Sequence, residues 1–281
     1  MSLFITSLNS GSNGNCYYIG NEDAAILVDA GISCRETVKR MKRLELSIEK
    51  VKAIFISHEH TDHISGIEQL SKKYQLPVYI TAATLQNGGL KIEKHLIISF
   101  KAFQPIDIHG LSITAFPKSH DASDPHSFMV SNNAINVGIF TDIGYSCEHV
   151  TKYFMQCHAA FLEANYDEEM LANGGYPYHL KKRISSDNGH LSNTQALQLV
   201  KAHKPAFMSH LILSHLSKNN NNPGLVQDLF EKHAGSTKIV IASRYEETPV
   251  FYITGDKAAA GKPMRRSYTK RELQQQQLSL F

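Results

Sequence analysis

The chain has 281 residues and 42% of them are hydrophobic, which is enough to bury the core of one large domain or of two closely packed halves. Its 29 basic and 26 acidic residues almost balance, and residues 256–281 alone carry six basic and two acidic side chains. The remainder is therefore close to neutral, which excludes a body that attracts polyanions through net charge alone.

The cellular setting is inferred from what the sequence lacks. The N-terminus has no basic region followed by an apolar run, as a signal peptide has, and no stretch is long and apolar enough to span a bilayer. None of the four cysteines forms a C-x-x-C pair. We therefore expect a soluble, cytoplasmic protein with free thiols.

The first third of the chain predicts short strands and two helices. Apolar or alternating runs indicate strands at residues 3–8, 16–19, 24–28, 53–56 and 77–80. A helix is predicted at residues 35–46, where Val38, Met41 and Leu44 share one face, and another at residues 64–74.

The rest of the body repeats this style. Strands are predicted at residues 111–116, 127–130, 135–140, 159–163, 207–213, 238–242 and 250–253. Helices are predicted at residues 147–156, 193–202 and 226–232. Strand-rich stretches interleaved with helices predict sheets whose outer faces are covered by helices.

The composition changes after Gly255. Residues 256–281 are polar, basic and poor in large apolar side chains, so they cannot bury enough surface to offset the entropy of ordering them. We predict one folded domain at residues 1–255 and a disordered basic tail at residues 256–281.

The densest chemical signal lies between His58 and His63, directly after a predicted buried strand. His58, His60, Asp62 and His63 offer three imidazoles and one carboxylate, and both groups are good ligands for Zn²⁺ and similar ions. In a tight loop the first two can face one ion, and the last two can face a second. Two cations held about 3.5–4 Å apart stabilise an attacking and a leaving oxygen together. A lone histidine is more often structural, but four ligand-type side chains at this spacing predict a metal site.

This H-x-H-x-D-H pattern resembles the metallo-β-lactamase superfamily. The resemblance implies an α/β fold, an αββα sandwich of two mixed β-sheets flanked by helices, with three more ligands that each follow a strand. His120, Asp142 and His215 follow the strands predicted at residues 111–116, 135–140 and 207–213. The implied metal ligands are His58, His60, Asp62, His63, His120, Asp142 and His215.

Two further residues resemble the nuclease branch of that superfamily. Glu163 ends a predicted strand, and His190 precedes the helix that leads to His215. The tRNA 3′-processing endonucleases carry a comparable glutamate and histidine that assist proton transfer. The resemblance implies that Asp62 orients a metal-bound hydroxide and that His190, tuned by Glu163, protonates the leaving oxygen. Purely structural roles for Glu163 and His190 stay open.

The match is closer still to the YycJ/WalJ-like single-domain family, described as 5′-to-3′ exonucleases acting on DNA. It rests on S-G-S-x-G-N at residues 10–15, H-D-x-x-x-P at 120–125, L-E-x-N at 162–165 and G-H-L-S-N at 189–193. The likeness covers residues 3–255, with Tyr166 standing where a histidine is expected. It implies a phosphodiesterase with two divalent ions, Zn²⁺ or Mn²⁺, with Fe²⁺ as a further candidate.

Several polar segments could contact a nucleic acid. Lys181, Lys182 and Arg183 could grip backbone phosphates or form an ordinary solvated face. Ser12 and Asn15 could line the site or only form a Gly-rich turn. The asparagine-rich residues 219–222 are expected to be an exposed turn.

The last five residues, Gln277 to Phe281, resemble the pentapeptide by which bacterial replication and repair proteins bind the DNA sliding clamp. Leu280 and Phe281 would enter an apolar pocket while Gln277 makes a polar contact, and the tether would raise the effective concentration near DNA. Five residues often match by chance, so a tail without this partner is the alternative. If the match is real, the substrate is DNA rather than RNA.

Three other functions stay open. A hydrolase of small esters or thioesters fits the metal ligands, but G-H-L-S-N and the lack of an added domain for a thiol cofactor argue against it. An RNA-processing nuclease would need a long inserted arm to grip tRNA, and none is visible. A non-catalytic scaffold is disfavoured by the complete ligand set.

Overall fold

The computed structural model describes residues 2–255, so the tail predicted at residues 256–281, including Gln277 to Phe281, lies outside the described residues. The described chain forms two β-sheets with helices on their outer faces. In chain order the strands are β1 (Leu3–Asn9), β2 (Cys16–Gly20), β3 (Ala25–Val28), β4 (Val51–Phe55), β5 (Val78–Tyr79), β6 (Ile97–Ile98), β7 (Ile106–Ile108), β8 (Leu111–Pro117), β9 (His126–Asn132), β10 (Ile135–Phe140), β11 (Ala159–Glu163), β12 (His210–Ser214), β13 (Lys238–Ile241) and β14 (Phe251–Ile253).

Both sheets are mixed. The first has the strand order β14-β1-β2-β3-β4-β5-β6, and the second has the order β13-β12-β11-β10-β9-β8-β7. Pairing is parallel from β3 to β6 and from β10 to β13, and antiparallel elsewhere. Since β8 is antiparallel to β9 and β9 is antiparallel to β10, strands β8 and β10 to β13 all run the same way. The segments that follow these strands therefore emerge at one edge of the second sheet.

The helices cover the two outer faces. They are α1 (Cys34–Arg43), α2 (Thr61–Ile64), α3 (Ile67–Tyr74), α4 (Ala82–Asn87), α5 (Glu148–Phe154), α6 (Glu168–Asn173), α7 (Tyr178–Ile184), α8 (Asn193–His203) and α9 (Pro223–Glu231). Apolar residues of α1 and α3 pack on the first sheet, and those of α5, α8 and α9 pack on the second. Within residues 2–255 no helix is both long and apolar enough to cross a membrane.

The central core lies between the two sheets. Tyr17 and Phe55 of the first sheet meet Phe161 and Phe128 of the second, with ring centroids 4.9 Å and 5.8 Å apart respectively. All four rings are buried, and each contributes about 1.5–3 kcal/mol through removal of apolar surface from water. With helices on both outer faces, this core confirms the predicted αββα sandwich of two mixed sheets.

Some predicted boundaries are wrong for local reasons. The helix predicted at residues 64–74 is two helices, α2 and α3, because Ser65 and Gly66 separate them. The Gly66 amide donates to the Ala30 carbonyl (2.8 Å), and a side chain at Gly66 would collide with the backbone of Ile32. Likewise β12 begins only at His210, because the Met208 amide closes a turn on the Pro205 carbonyl (3.1 Å).

Candidate metal centre

The seven residues implied as metal ligands lie together at one edge of the sandwich. His58, His60, Asp62 and His63 lie between β4 and the end of α2, whereas His120, Asp142 and His215 follow β8, β10 and β12. Their nitrogen and carboxylate oxygen atoms form overlapping groups in which all atoms lie within 4.8 Å of one another. These groups are His58 with His60 and His120, His58 with His63 and Asp142, and Asp62 with His63 and His215.

Three imidazoles form the first group. His60 Nδ1 lies 3.1 Å from His58 Nε2 and 3.2 Å from His120 Nε2. Nitrogens that bind one zinc ion tetrahedrally are about 3.3 Å apart, so this spacing fits a shared cation. The far ring nitrogens are already used: His120 Nδ1 donates to the Gly189 carbonyl (2.9 Å), and His58 Nδ1 lies 2.9 Å from Ser57 Oγ. The inward nitrogens are therefore the ones left to bind a metal.

The group of Asp62, His63 and His215 combines two imidazoles with a carboxylate. Asp62 Oδ2 lies 3.3 Å from His215 Nε2 and 3.6 Å from His63 Nε2. Asp142 lies between the two groups, since Oδ2 is 3.0 Å from His63 Nε2 and Oδ1 is 3.9 Å from His120 Nε2. Asp142 Oδ2 is buried and accepts no hydrogen bond of acceptable geometry from the described residues. A buried carboxylate oxygen with spare acceptor capacity suits a bridging cation ligand.

The electrostatics of the centre favour bound positive charge. Burial opposes ionisation of Asp142, but His215 and His63 outweigh burial and hold its pKa well below the usual range. Burial also opposes ionisation of Asp62, yet His63 and His215 lower its pKa to about 2. Despite burial of the ring, the carboxylates led by Asp142 and Asp29 raise the pKa of His63 to about 10. The donor set thus fits divalent cations, which would supply this positive charge.

Two histidines of the first group, His58 and His120, have lowered pKa values instead. Burial lowers the pKa of His58 well below its usual value and that of His120 to about 4. Metal ligation requires an unprotonated imidazole nitrogen, so burial prepares these two rings for it.

Glu163 and His190 form a pair beside the predicted ligands. Glu163 Oε1 accepts from His190 Nδ1 (2.8 Å) and lies 3.1 Å from His215 Nδ1, and Oε2 accepts from the Ile143 amide (2.7 Å). Burial raises the pKa of Glu163, but His190 and His215 outweigh it and lower the pKa to about 2. Because Nδ1 of His190 is held by a carboxylate, Nε2 is the atom left to meet a substrate.

The segment around His190 explains the G-H-L-S-N pattern. Ser192 and Gln195 form a reciprocal capping box at the start of α8. Asn193 is buried and bonds through its amide to Asn221 (3.0 Å). The Gly189 amide closes a turn on Ser186 (2.8 Å), and a side chain at Gly189 would collide with the carbonyls that precede that turn. Gly189, Ser192 and Asn193 therefore have structural roles that fix the segment carrying His190.

Two buried groups that support the proposed ligands, Asp29 and Lys118, are not among the site residues predicted from the sequence. Asp29, which follows β3, accepts from His63 Nδ1 (2.7 Å) and from the Ser57 amide (2.8 Å) and hydroxyl (2.9 Å). Lys118 is buried and donates to the Thr141 carbonyl (2.7 Å), one residue before Asp142. Asp29 obeys the same rule as the predicted ligands, a polar residue directly after a strand, so that pattern could have found it.

The segments suggested for nucleic-acid contact differ in whether they reach the metal centre. Asn15 joins the centre, with Nδ2 3.2 Å from Asp62 Oδ2, whereas Ser12 is exposed. Arg183 pairs with Asp121, and Asp121 Oδ1 lies 3.5 Å from His120 Nε2. Lys181 donates to the Ala172 carbonyl (2.6 Å).

The expectation of an exposed turn at residues 219–222 is half wrong. Asn220 and Asn221 are buried, while Asn219 and Asn222 are exposed. Asn221 Nδ2 donates to the carbonyls of Ala164 (2.8 Å) and Asn165 (3.0 Å), which ties the turn to the segment after β11. This part of the asparagine run is structural.

Comparison with known proteins places the chain in a family. Residues 24–216 match the family described as beta-lactamase superfamily domain. The exodeoxyribonuclease YycJ of Bacillus anthracis is 35% identical over 229 residues, which cover 79% of this chain and 85% of YycJ. The exodeoxyribonuclease WalJ of Streptococcus pneumoniae (serotype 2, strain D39) is 32% identical over 224 residues, which cover 76% of this chain and 81% of WalJ. This chain belongs to the YycJ/WalJ family of the beta-lactamase superfamily.

Membership of the YycJ/WalJ family confirms the resemblance seen in the sequence, and the fold agrees. The metallo-beta-lactamase fold protein YhfI from Bacillus subtilis superposes with a TM-score of 0.69 at 18% identity, covering 90% of this chain and all of YhfI. The family and the fold imply that the protein binds divalent metal.

Replacing Asp29 by Asn tests the support of His63. The amide offers Ser57 and His63 one donor group where both need an acceptor, so we expect metal affinity to fall about 10- to 100-fold, as outer ligand partners typically contribute. Competition with a chromophoric chelator for Zn²⁺ measures the dissociation constant. Asp23→Asn, on the exposed turn before β3, is the control and should keep the parent affinity. An unchanged affinity in Asp29→Asn would remove Asp29 from the metal centre.

Proposed function

We propose that this protein is a metal-dependent exodeoxyribonuclease that degrades DNA in the 5′-to-3′ direction. The observation that carries the proposal is the Glu163–His190 pair beside the cluster of metal-ligating side chains, in a chain related to YycJ and WalJ. Phosphodiester hydrolysis needs both a cation site and a proton donor for the leaving oxygen. A hydrolase of activated thioesters has less need of that second group.

The proposed ligands are His58, His60 and His120 for one ion, and Asp62, His63 and His215 for a second, with Asp142 between them. The bound ions would supply a water molecule of lowered pKa and offset the charge of the phosphate. Imidazole-rich sites of this kind bind Zn²⁺, Mn²⁺ or Fe²⁺. We propose two ions, since His58, His60 and His120 form one group of donor atoms, Asp62, His63 and His215 form another, and Asp142 lies between them.

The chain's own residues supply the remaining chemistry. Asp62 is partly exposed, with a side chain 21% accessible, so it can orient the attacking water and accept a hydrogen bond from it. His190 donates its Nε2 proton to the leaving oxygen. Glu163 holds His190 Nδ1 and stabilises the protonated ring by its negative charge. Glu163 thus orients the ring of His190, and His190 transfers the proton.

The primary test is a nuclease assay with varied metals. Purified protein supplied with Mn²⁺ or Zn²⁺ is expected to release the label of 5′-labelled DNA in small products, and Asp62→Ala is expected to lose at least about 100-fold in rate because water orientation and one ligand are removed together. Removal of metal by EDTA should stop the reaction, and added Mn²⁺ should restore it. Asp107→Ala, which removes an exposed carboxylate on β7, should behave as the parent.

Activity on other substrates in place of DNA would overturn the proposal. If DNA survives while a small ester or thioester is cleaved, the protein is a hydrolase of that other class. Cleavage of RNA in preference to DNA would make it an RNA-processing nuclease. Products released from the 3′ end would overturn the proposed polarity alone.

His190→Ala isolates the proton donor. We expect kcat to fall about 100-fold or more, as is typical for loss of a general acid, with the metal content retained because seven ligands remain. Atomic absorption measures the metal, and the labelled-DNA assay measures kcat. His233→Ala, after α9, removes an exposed histidine elsewhere and serves as the control. Loss of bound metal in His190→Ala would instead make His190 a ligand, since its ring belongs to a group with Asp142, Glu163 and His215.

For the partner, we propose that Gln277 to Phe281 bind the DNA sliding clamp, as their sequence suggests. Deleting residues 277–281 should abolish binding to the clamp in surface plasmon resonance, while the rate on short DNA without a clamp stays the same. The double substitution of Leu280 and Phe281 by Ala should match the deletion if the apolar pair provides the affinity. Undiminished clamp binding by the shortened chain would rule out this partner site.

A further inference from the structure

The turn that follows β13 lies against the metal centre but has no part in the reaction described above. It runs from Ser243 to Glu246 and leaves the second sheet at the same edge as β12, which leads to His215. Arg244 and Tyr245 lie on this turn. Both side chains are of kinds that proteins use to bind nucleic acid.

A short series of hydrogen bonds joins this turn to the ligand His215. The His215 amide donates to Ser10 Oγ (2.8 Å), and the Ser10 amide donates to the Ser243 carbonyl (3.1 Å). Asn13 Nδ2 donates to the Arg244 carbonyl (2.8 Å). The S-G-S-x-G-N turn therefore contacts both His215, through Ser10, and Arg244, through Asn13.

Gly11 allows the base of the Arg244 side chain to approach the segment that follows His215. A Cβ atom on Gly11 would lie 3.5 Å from Arg244 Cβ and 3.5 Å from the carbonyl oxygen of Leu216, the residue that follows His215. Gly11 also has a φ of +131°, which side-chain-bearing residues rarely adopt. The base of the Arg244 side chain thus packs over a glycine that separates it from the His215 segment.

One guanidinium nitrogen of Arg244 lacks a hydrogen-bond partner among the described residues. This Nη1 atom is buried and makes no hydrogen bond there, and no described carboxylate forms an ion pair with the guanidinium. By contrast Arg40, Arg43 and Arg183 pair with Glu36, Glu247 and Asp121. A buried charged donor without an acceptor is costly, and an anion bound at this guanidinium would offset that cost.

Tyr245 adds an aromatic surface next to that cation. Its side chain is 69% exposed, and its amide donates to Ser243 Oγ (3.0 Å), which fixes the backbone of the turn. Exposed aromatic rings beside basic residues bind single strands by stacking under a base while the cation contacts the phosphate.

We propose that Arg244 binds a backbone phosphate of the nucleic-acid strand next to the cleaved bond, and that Tyr245 stacks on a neighbouring base. The proposal rests on the nuclease function proposed above and assigns the side of the metal centre on which the strand lies. Arg244 is a binding residue here, since Asp62 orients the water and His190 transfers the proton. Its guanidinium can form two parallel hydrogen bonds to a phosphate, which a lysine cannot.

The test measures binding and kinetics of Arg244→Ala with a single-stranded DNA oligonucleotide. We expect KM to rise about tenfold, kcat to change less than about threefold, and the slope of log affinity against log salt to fall by about one. Affinity is measured by fluorescence anisotropy on a phosphorothioate oligonucleotide that resists cleavage. Arg244→Lys should keep the salt slope and lose part of the affinity, which a purely structural role would not produce.

Two further variants set the controls. Arg35→Ala removes an exposed arginine on α1 and should leave KM and the salt slope as in the parent, so an equal loss there would mean a diffuse charge effect and overturn the proposal. Tyr245→Ala should weaken binding about tenfold, whereas Tyr245→Phe should bind as the parent because only the ring is needed.

The failures of the two proposals are distinguishable. If the parent protein cleaves no nucleic acid, the proposed function is wrong. If the parent cleaves DNA and Arg244→Ala keeps its KM and salt slope, only the strand site is wrong. A variant that loses kcat and thermal stability together, with Arg244→Lys equally affected, would make Arg244 a structural residue and also overturn this inference.

Discussion

The structure depends on a buried carboxylate that has to be neutralised. Asp142 is 1% exposed and lies among His63, His120 and His215, with one oxygen that accepts no hydrogen bond within residues 2–255. An isolated carboxylate in such a place would be protonated or would destabilise the fold by several kcal/mol. The imidazoles lower its pKa instead, and divalent cations would complete the same compensation. The positive charge that stabilises buried Asp142 is therefore also the charge that bound cations would supply for the reaction.

The backbone is strained at the same places. Asp29, Asp142 and His215 have positive φ values of 61°, 53° and 57°, each within two residues of the end of a strand. Such left-handed conformations cost about 1–3 kcal/mol each in residues with side chains, and they persist only where the surroundings hold them. At Asp29 the surroundings are His63 and Ser57, and at His215 they are Asn165 and Ser10. The turn after each strand aims its side chain inward, and the hydrogen bonds made by that side chain and its backbone offset the strain.

The sequence predicts the strands, and it identifies the proposed ligands, which lie together in the structure, more readily than the residues that support them. Every ligand follows a strand of clear apolar pattern, and family resemblance fixes which polar residue to choose after β8, β10 and β12. Asp29 also follows a strand and could have been named as a candidate, but its role and that of Lys118 appear only when separate segments meet, as Asp29 does with Ser57 and His63. Gly66 splits a helix that periodicity alone would continue, because it packs against Ala30 and Ile32. Tertiary contacts of this kind leave no periodic signal along the chain.

Charge is distributed unequally around the centre, and this distribution favours one side for a bound nucleic-acid strand. On the side of His60 and His120, Arg183 is paired with Asp121, so little net positive charge is left for a phosphate. On the side of His215, Arg244 has no carboxylate partner among residues 2–255 and Nη1 is already desolvated. A phosphate that binds Arg244 displaces no existing ion pair, whereas one that binds Arg183 has to compete with Asp121. The nearly neutral body thus presents local rather than general attraction for a polyanion, which suits an enzyme that positions one strand relative to its metal ligands.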